Sequence, residues 1–409
     1  MPEPAAERIG SLDLIRGLAV LGILAINIGG FAGPSLATLS PNLPYPGGAA
    51  DEMSFAVNFL LFEGKMRALF SMLFGASLLL LIERNDEQGR FGIGVQVRRL
   101  SWLALFGLAH FYVLWWGDIL FGYAVAGFFA LLLSEIAPRR LAIAAVAIFT
   151  IWHASGAAVY APNVMLENAV LAGEATPGQS SDYAKYLQDV RDYGVAETEA
   201  MQGSFAAQVV YRFTQLPLQP FTGALEGLGE TLPLMMLGMA LLGSGFFAGR
   251  WRGRTMALMA VGGIAGGLAL TALILALVWP RGFPPTMMDS AINYWTALPH
   301  LLMALGYAAL LVLVAPRLAN RVPGRWLMAC GKMAFSNYIG TTVLMTWIFY
   351  GWGLGWIGRF GNAWQWLFVV LGWAVMVVFS NMWLARFRRG PLEWLWRSLV
   401  EWRMLENRR

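Results

Sequence analysis

Long apolar stretches, separated by shorter polar segments, set the pattern of this chain of 409 residues. A helix that crosses a bilayer needs about 20 mostly apolar residues. The pattern therefore predicts an all-α, polytopic helical membrane bundle of about ten transmembrane helices. The predicted spans lie near residues 12–32, 66–83, 100–116, 118–136, 141–160, 229–249, 255–279, 296–315, 327–350 and 365–385. A shorter apolar segment at 53–62 is interpreted as interfacial or re-entrant, and it would raise the count to eleven.

The basic residues are sorted by segment, which predicts the orientation of the bundle. Arginine and lysine favour the cytoplasmic side of a membrane. Most of them fall on one side of the predicted spans, in segments 84–99, 139–140, 250–254, 317–325 and 386–409. The opposite side holds only Lys65, Lys185, Arg191, Arg212, Arg281 and Arg359. Both termini are therefore predicted to be cytoplasmic.

Two segments outside the spans differ from the rest. Segment 161–228 is acidic and predicts a long extracytoplasmic loop, with a turn or flexible chain at 176–181 and then one or two short helices. Segment 391–405 follows a glycine and begins with a proline, a pair that ends one helix and starts another. Its apolar residues gather mostly on one face, which predicts an interfacial amphipathic helix on the cytoplasmic leaflet. The whole chain, 1–409, is predicted to form a single integral membrane domain.

Composition favours a membrane protein and excludes other classes. The chain is 58% hydrophobic and 13% charged, whereas a soluble domain is roughly 25% charged. The sequence pI near 9.4 reflects topology, so we expect membrane lipids and no nucleic acid as partners. One cysteine excludes an intramolecular disulfide, and no cleavable signal is expected. The sequence has no phosphate-binding loop, dinucleotide fingerprint or His-x-x-Glu-His helix, so we expect no metal and no tightly bound cofactor.

The first predicted span contains an acid and a base. Asp13 and Arg16 are three residues apart, so they lie on one helical face. Charges inside a membrane are costly, and they tend to be paired or functional. A ligand contact and a local pair that only sets the topology are both open interpretations of these two residues.

Several ionisable residues are predicted in the outer half of the membrane. They are His110, His153 and His300 in the spans, Asp118 at a turn, and Glu63, Lys65 and Arg67 at the entry to the second span. We expect them to form a polar cavity that opens outward, in which His110 acts as a general base oriented by Asp118. The alternative is that each histidine only forms a hydrogen bond between helices.

A second polar group is predicted on the cytoplasmic side. Lys332 lies just inside the ninth span, and with Arg16, Arg98 and Arg99 it could hold a phosphate-bearing ligand. Alternatively, this lysine only extends its ammonium to the cytoplasm. Asn337 and Tyr338 follow it, near the middle of the membrane.

Several stretches resemble a known family. They are residues 12–17 with Asn27, 64–75, 98–120, 334–338, and Gly-Pro-Leu-Glu-Trp-Leu-Trp-Arg at 390–397. Together they resemble the YeiB-like family of bacterial inner-membrane proteins (domain of unknown function 418), which is distantly similar to transmembrane acyltransferases. The resemblance implies location in the bacterial inner membrane. It also implies transfer of an acyl group from cytoplasmic acyl-CoA, a co-substrate, to an extracytoplasmic glycan or other envelope acceptor.

By the same resemblance, Asp13 and Arg16 match the Leu-Asp-x-x-Arg-Gly opening of the O-acyltransferases. In that branch a histidine follows the aspartate by fourteen residues, whereas this chain has Asn27 there. An asparagine cannot take up a proton as a base, so either His110 has the role or the chemistry is absent.

The leading hypothesis is an acyltransferase with His110, Asp118 and Asn27 in the catalytic roles. The residues predicted to bind the substrates are Asp13, Arg16, Glu63, Lys65, Arg67, Arg98, Arg99, His153, His300, Lys332, Asn337 and Tyr338. The main alternative is a transporter or exporter of a small molecule without covalent chemistry. A third is a scaffold that positions envelope enzymes.

Overall fold

The computed structural model describes residues 10–409 and is all-α over that range, which confirms the predicted fold class. The predicted cytoplasmic N-terminus lies outside the described residues. The α-helices are α1 (Gly10–Ala32), α2 (Ala49–Leu61), α3 (Lys65–Glu87), α4 (Gly92–Ala109), α5 (Leu120–Leu131), α6 (Pro138–Ala172), α7 (Pro177–Met201), α8 (Phe205–Gln215), α9 (Gln219–Glu226), α10 (Leu228–Gly243), α11 (Gly253–Val278), α12 (Pro285–Ser290), α13 (Ala297–Leu318), α14 (Val322–Lys332), α15 (Ala334–Phe349), α16 (Asn362–Arg386) and α17 (Pro391–Val400).

Six helices of the described chain are long and apolar enough to cross a membrane, so the protein is a multi-pass membrane protein. They are α1, α2 continued by α3, α6, α11 with the turn after it, α13 and α16. A bent pair, α9 and α10, is a seventh candidate. The predicted count of about ten is therefore not confirmed. The segment at 53–62 belongs to α2, which α3 continues after a break at Gly64.

The remaining predicted spans are short or interrupted for local reasons. The 100–116 segment is α4 followed by a π-helical turn, His110–Leu114, after which the chain becomes extended at Trp115. The 118–136 segment forms only the 12 residues of α5. The 327–350 segment is broken at Met333, which separates α14 from α15.

Helix α1 is the centre of the bundle and α6 is at its rim. In the most apolar stretch of α1, 72% of the residues are buried, against 17% in α6. Glycines bring α1 and α14 together: a Cβ on Gly17 would overlap the Leu327 carbonyl, and one on Gly331 would overlap the Asp13 carbonyl. Small residues at such crossings let helix backbones approach closely in membrane proteins. The close approach fixes Asp13 beside the end of α14.

The segment 161–228, predicted as a long extracytoplasmic loop with one or two short helices, is helical over most of its length. Helix α6 continues to Ala172, and α7, α8 and α9 follow it. The prediction of a turn or flexible chain at 176–181 was wrong, because Thr176 caps α7. Its Oγ1 accepts a bond from the Gln179 backbone N–H, and the Gln179 side chain accepts one from the Thr176 N–H. Reciprocal bonds of this kind satisfy two orphan donors at a helix start.

The predicted amphipathic helix in segment 391–405 is present as α17. Leu392 and Trp396 pack against the main core of the bundle, and the Trp396 indole N–H donates to the Arg99 carbonyl at 3.0 Å. Part of the apolar face of α17 therefore contacts the protein itself, at the end of the bundle where α4 begins. We call this the α17 end.

Candidate functional site

A cavity with a volume of about 490 Å³ opens at the α17 end. Helices α1, α3, α4, α14, α15 and α17 contribute to its wall. We call it the basic cavity because five basic and two acidic side chains line it. These are Arg16, Arg84, Arg99, Lys332 and Arg397 with Asp13 and Glu393.

Asp13 and Arg16 form an ion pair on this wall. Nη1 of Arg16 lies 3.2 Å from Oδ1 of Asp13, and Nη2 donates to Oγ of Ser77 at 2.9 Å. The bonds to Asp13 of α1 and to Ser77 of α3 hold the Arg16 guanidinium at the cavity surface. The pairing expected from the three-residue spacing is therefore present, and both residues also face the cavity.

Arg99 lies among like charges. Its guanidinium stacks on the Trp396 ring at 4.6 Å and donates to Oε1 of Gln96 at 3.4 Å. The positive charges of Arg397 and Arg16 both act on it. Arginines that converge on one space repel each other, and an anion between them relieves that repulsion. The mouth of the basic cavity is thus suited to a phosphate group.

Glu393 fixes α17 at the break between α14 and α15. Its carboxylate accepts bonds from the backbone N–H groups of Phe335 and Ser336 and from the Ser336 hydroxyl. These are the free donors at the start of α15. Burial raises the pKa of Glu393 above 4.5, although the hydrogen bonds oppose that effect.

The deep part of the basic cavity is apolar and ends at aromatic rings. Leucine and phenylalanine side chains of α3 and α4 form most of this part, and Tyr123 and Tyr338 line the cavity with Ile119 and Leu120. The Tyr338 hydroxyl donates to the Gly117 carbonyl and accepts from the Ile119 N–H, each at 3.3 Å. A cavity with a cationic mouth and an apolar interior fits an anionic amphiphile.

Behind Tyr338 lies a buried polar triad, His110, Asp118 and Thr342. Nδ1 of His110 lies 2.9 Å from Oδ1 of Asp118, and Nε2 lies 3.0 Å from Oγ1 of Thr342. An ionised carboxylate only accepts, so the Nδ1 N–H donates to Asp118. The Thr342 hydroxyl lies within hydrogen-bond distance of both Nε2 and the Tyr338 carbonyl, the latter at 3.2 Å. The same carboxylate caps α5 through the Phe121 N–H at 2.8 Å. Thr342, His110 and Asp118 therefore lie in the sequence hydroxyl, base and orienting acid.

Tyr338 separates this triad from the basic cavity. The rings of His110 and Tyr338 have their centroids 5.0 Å apart. His110 is 2% exposed and Thr342 is fully buried. Neither His110, Asp118 nor Asn27 lines the basic cavity, whereas Tyr338 does. The histidine is therefore next to the cavity but screened from it by one side chain.

A second cavity of about 260 Å³ adjoins the first and shares Arg99 and Arg397 with it. We call it the tail cavity because the C-terminal residues form one wall. It is lined by Arg90, Arg389 and Arg403, and by Glu401, whose carboxylate pairs with Arg90 at 2.9 Å. The positive surface of the site therefore extends from the basic cavity to the C-terminal tail.

The predicted acceptor group at the opposite end does not form one cavity. Glu63 lines a small crevice of about 30 Å³. Lys65 is fully buried and donates to the Phe59 carbonyl at 2.6 Å. Arg67 pairs with Glu230 of α10 at 3.2 Å. Lys65 is thus held by a contact close to it in sequence, and Arg67 by a contact with another helix.

The other predicted residues are dispersed over the bundle. His153 bonds its own helix, with Nδ1 2.7 Å from the Phe149 carbonyl. His300 packs against Gly64, and its Nε2 is buried without a hydrogen-bond partner among residues 10–409. Asn337 donates to Ser380 at 2.9 Å, and Arg98 to the Val400 carbonyl at 3.2 Å. Asn27 is half-buried on α1.

Sequence reasoning missed several residues of the site. Thr342 lies one turn after Tyr338, so the i, i+4 spacing could have indicated it. Glu393 and Arg397 lie within the Gly-Pro motif at 390–397, which carries the family resemblance and predicts an amphipathic helix but does not indicate that these two side chains line a cavity. Among the described residues, no group of three or more His, Cys, Asp or Glu could hold a metal ion.

The helices and buried charges define a multi-pass helical membrane protein with a large cationic and apolar cavity at one end. The chain belongs to the YeiB-like family of domain of unknown function 418. The profile of that family, "Protein of unknown function (DUF418)", matches residues 241–403.

Three relatives match nearly the whole chain. The uncharacterized protein YxaH of Bacillus subtilis (strain 168) is 30% identical over 407 residues, which cover 97% of this chain and 95% of the relative. The uncharacterized protein YeiB of Escherichia coli (strain K12) is 29% identical over 397 residues, 96% of each chain. An uncharacterized 39.9 kDa protein from the amylase 3' region of Bacillus acidopullulyticus is 25% identical, over 96% of this chain and 94% of its own. No solved structure matches significantly.

Proposed function

We propose that this protein is a transmembrane acyltransferase that moves an acyl group from acyl-CoA to an acceptor across the bacterial inner membrane. The observation that carries the proposal is the position of Tyr338. Its ring forms the inner end of the basic cavity and lies 5.0 Å from the ring of His110. A donor bound in the cavity therefore has its reactive end one side chain away from a general base.

The two parts of the donor correspond to the two parts of the site. The phosphate groups of CoA bind at the mouth, where Arg16, Arg99, Lys332 and Arg397 provide positive charge and the tail cavity extends it. The acyl chain and its thioester occupy the apolar interior up to Tyr338. No tightly bound cofactor or metal is required for this chemistry.

The transfer proceeds by attack of the acceptor on the thioester. As Tyr338 moves aside, Nε2 of His110 accepts the proton of an acceptor hydroxyl or amine, and the freed electron pair forms a bond to the thioester carbon. The carbon–sulfur bond then breaks, and the CoA thiolate leaves and takes up that proton. Asp118 stabilises the imidazolium that forms between these steps.

A topology of ten spans fits this proposal. In this topology α4 with its π turn, α5, α10 and the broken pair α14–α15 each cross the membrane alongside the six long helices. The α17 end, where the arginines concentrate, faces the cytoplasm and the donor pool. Both termini are then cytoplasmic, and the opposite end meets a glycan or other envelope acceptor.

The test uses purified protein in lipid nanodiscs with labelled acyl-CoA, with and without an extract of envelope glycans. We expect consumption of the thioester that increases with acceptor, and a loss of about 10²–10⁴-fold for His110→Asn. The matched control is His153→Asn, at another buried histidine, whose Nδ1 bonds the Phe149 carbonyl of its own helix. Wild-type protein that neither binds nor hydrolyses acyl-CoA would sink the proposal.

A second candidate, a small-molecule transporter, is favoured by one observation. The break at Met333 lies beside the basic cavity, because Lys332 and Ala334 both line it. Broken helices often form the substrate sites of transporters. Movement of a solute into proteoliposomes without any acyl donor would favour this candidate over the enzyme.

A further inference from the structure

Helices α8 and α9 present a large apolar surface that the rest of the chain leaves uncovered. Its members are Phe205, Val210, Phe213, Leu218, Phe221 and Leu225, each 40% to 66% exposed. Between residues 205 and 225 the only charged side chain is Arg212, and it is fully buried. The exposed side chains of these two helices are therefore apolar or uncharged polar except for Glu226, the last residue of α9.

Helix α7, in the same segment, has the opposite character. Its exposed residues include Asp182, Lys185, Asp189, Arg191 and Asp192. A surface in water normally carries many charges of both signs, as α7 does. The change from charged to uncharged surface at residue 205 indicates a change of surroundings.

Contacts connect the apolar surface to the outside of the spans. Phe213 stacks on Tyr112 with centroids 4.3 Å apart, and the Tyr112 hydroxyl donates to the Pro217 carbonyl at 2.6 Å. Phe221 contacts Phe121 at 5.2 Å. Val113, beside Tyr112, is itself exposed and apolar. The apolar surface is thus continuous with Tyr112 and the exposed Val113 of the π turn.

The direction of α9 also fits a position along the membrane. Helix α9 meets α10 at Gly227 with a bend of 56°. Since α10 runs into the bundle, α9 turns away from that direction at the end opposite α17. An amphipathic helix that does not follow the direction of the spans can lie in the interface of a bilayer with its apolar face towards the acyl chains.

Arg212 anchors α8 to the helix that carries His110. Its Nε and Nη2 donate to the carbonyls of Tyr112 and Val113 at 2.9 and 2.8 Å. These carbonyls belong to the π turn that begins at His110. Without a partner they would be buried polar groups, which is costly in or near lipid. The arginine therefore fixes α8 at the height of that turn.

We propose that α8 and α9 are interfacial helices whose apolar face is buried in the leaflet opposite α17. The occupant of the surface is the acyl-chain boundary of the bilayer. The continuity with the exposed apolar side chain of Val113 favours lipid over a protein partner, as does a surface whose single exposed charge is Glu226 at the end of α9. The segment 161–228 is then divided into a solvent-exposed helix, α7, and a membrane-embedded pair.

The test measures depth by spin labelling in proteoliposomes. Nitroxides are attached to Val210→Cys, Phe213→Cys and Leu225→Cys in a Cys330→Ala background, with Lys185→Cys and Asp189→Cys as matched exposed controls on α7. We expect severalfold higher accessibility to oxygen than to a water-soluble nickel chelate at the first three sites, and the reverse at the controls. Equal nickel accessibility at all five sites would overturn the proposal, as would spin–spin broadening between molecules, which indicates a second copy. Either result leaves the acyltransferase test unaffected.

Discussion

Tyr338 and His110 lie ring against ring, with 5.0 Å between their centroids, and the basic cavity reaches only the first of them. The tyrosine is held in this position by bonds at both ends of the turn before α5, at Gly117 and Ile119. A histidine in the bundle is thereby kept away from the cavity while remaining one side chain from it. The proposed function requires that Tyr338 can move aside and expose His110 to the basic cavity.

Replacement of the screening ring tests its role. In Tyr338→Ala the cavity joins His110, so water reaches the thioester, and we expect hydrolysis of acyl-CoA without acceptor to rise severalfold. Tyr338→Phe is the matched control, because it keeps the ring and loses only two hydrogen bonds, about 0.5–1.5 kcal/mol each. Thioester release at the wild-type rate in both variants would contradict the assigned role.

The carboxylate of Asp118 has two contacts that can be separated. Asp118→Ser keeps a side-chain oxygen to cap α5 but is too short to reach His110, whereas Asp118→Ala loses both contacts. We expect both variants to lose at least about 10²-fold in transfer. In thermal unfolding only the alanine variant should lose about 1 kcal/mol for the missing cap. Full activity of the serine variant would show that the histidine needs no carboxylate.

The α1–α14 crossing should be sensitive to single methyl groups. A Cβ on Gly331 meets the Asp13 backbone, so Gly331→Ala forces the two helices apart and should destabilise the fold by about 1–3 kcal/mol. Gly340 has no atom within 4 Å of an added Cβ, so Gly340→Ala should be neutral or stabilising by up to about 1 kcal/mol. The check is thermal unfolding of both variants in detergent. Equal unfolding midpoints for the two variants would mean that α1 and α14 do not approach each other as closely as described.

Glu393 should make stability depend on pH. Because burial raises the pKa of this carboxyl above 4.5, its contribution to the stability of the folded state is complete below pH 4.5 and is lost as the pH rises through the folded value. Glu393→Gln cannot ionise, so its melting temperature relative to wild type should increase from pH 4.5 to about pH 8. Glu406→Gln, at an exposed side chain, is the control and should show no such trend. If the difference in melting temperature between Glu393→Gln and wild type does not change with pH, Glu393 does not make stability depend on pH.

The sequence predicts local relationships here better than the shape of cavities. The pairing of Asp13 with Arg16 follows from helical spacing, and the contact of His110 with Asp118 follows from a short turn between two helices. The shape of the basic cavity depends instead on how helices that are far apart in the sequence pack together. No sequence pattern therefore indicates that Tyr338 lies between His110 and the cavity.

Two further misses have the same origin. The Gly/Pro/Ser composition at 176–181 favoured a flexible chain, but a capping box at Thr176 starts a helix of 25 residues there. For α17, the amphipathic pattern predicts a helix on the membrane surface and gives no contact with the rest of the protein. Its contact with Arg99 and its anchor at Ser336 arise from residues about 300 and 57 positions away, which periodicity cannot indicate.

Photochemical labelling with an acyl-CoA analogue that carries a diazirine on its acyl chain tests the central claim most directly. Mass spectrometry of the nanodisc-embedded protein should locate the label at the inner end of the basic cavity, at Leu120, Tyr123 or Tyr338. Excess acyl-CoA should abolish it, and Arg99→Gln should weaken it. Labelling confined to lipid-facing side chains such as Leu258 or Val261, and unaffected by competitor, would contradict the account.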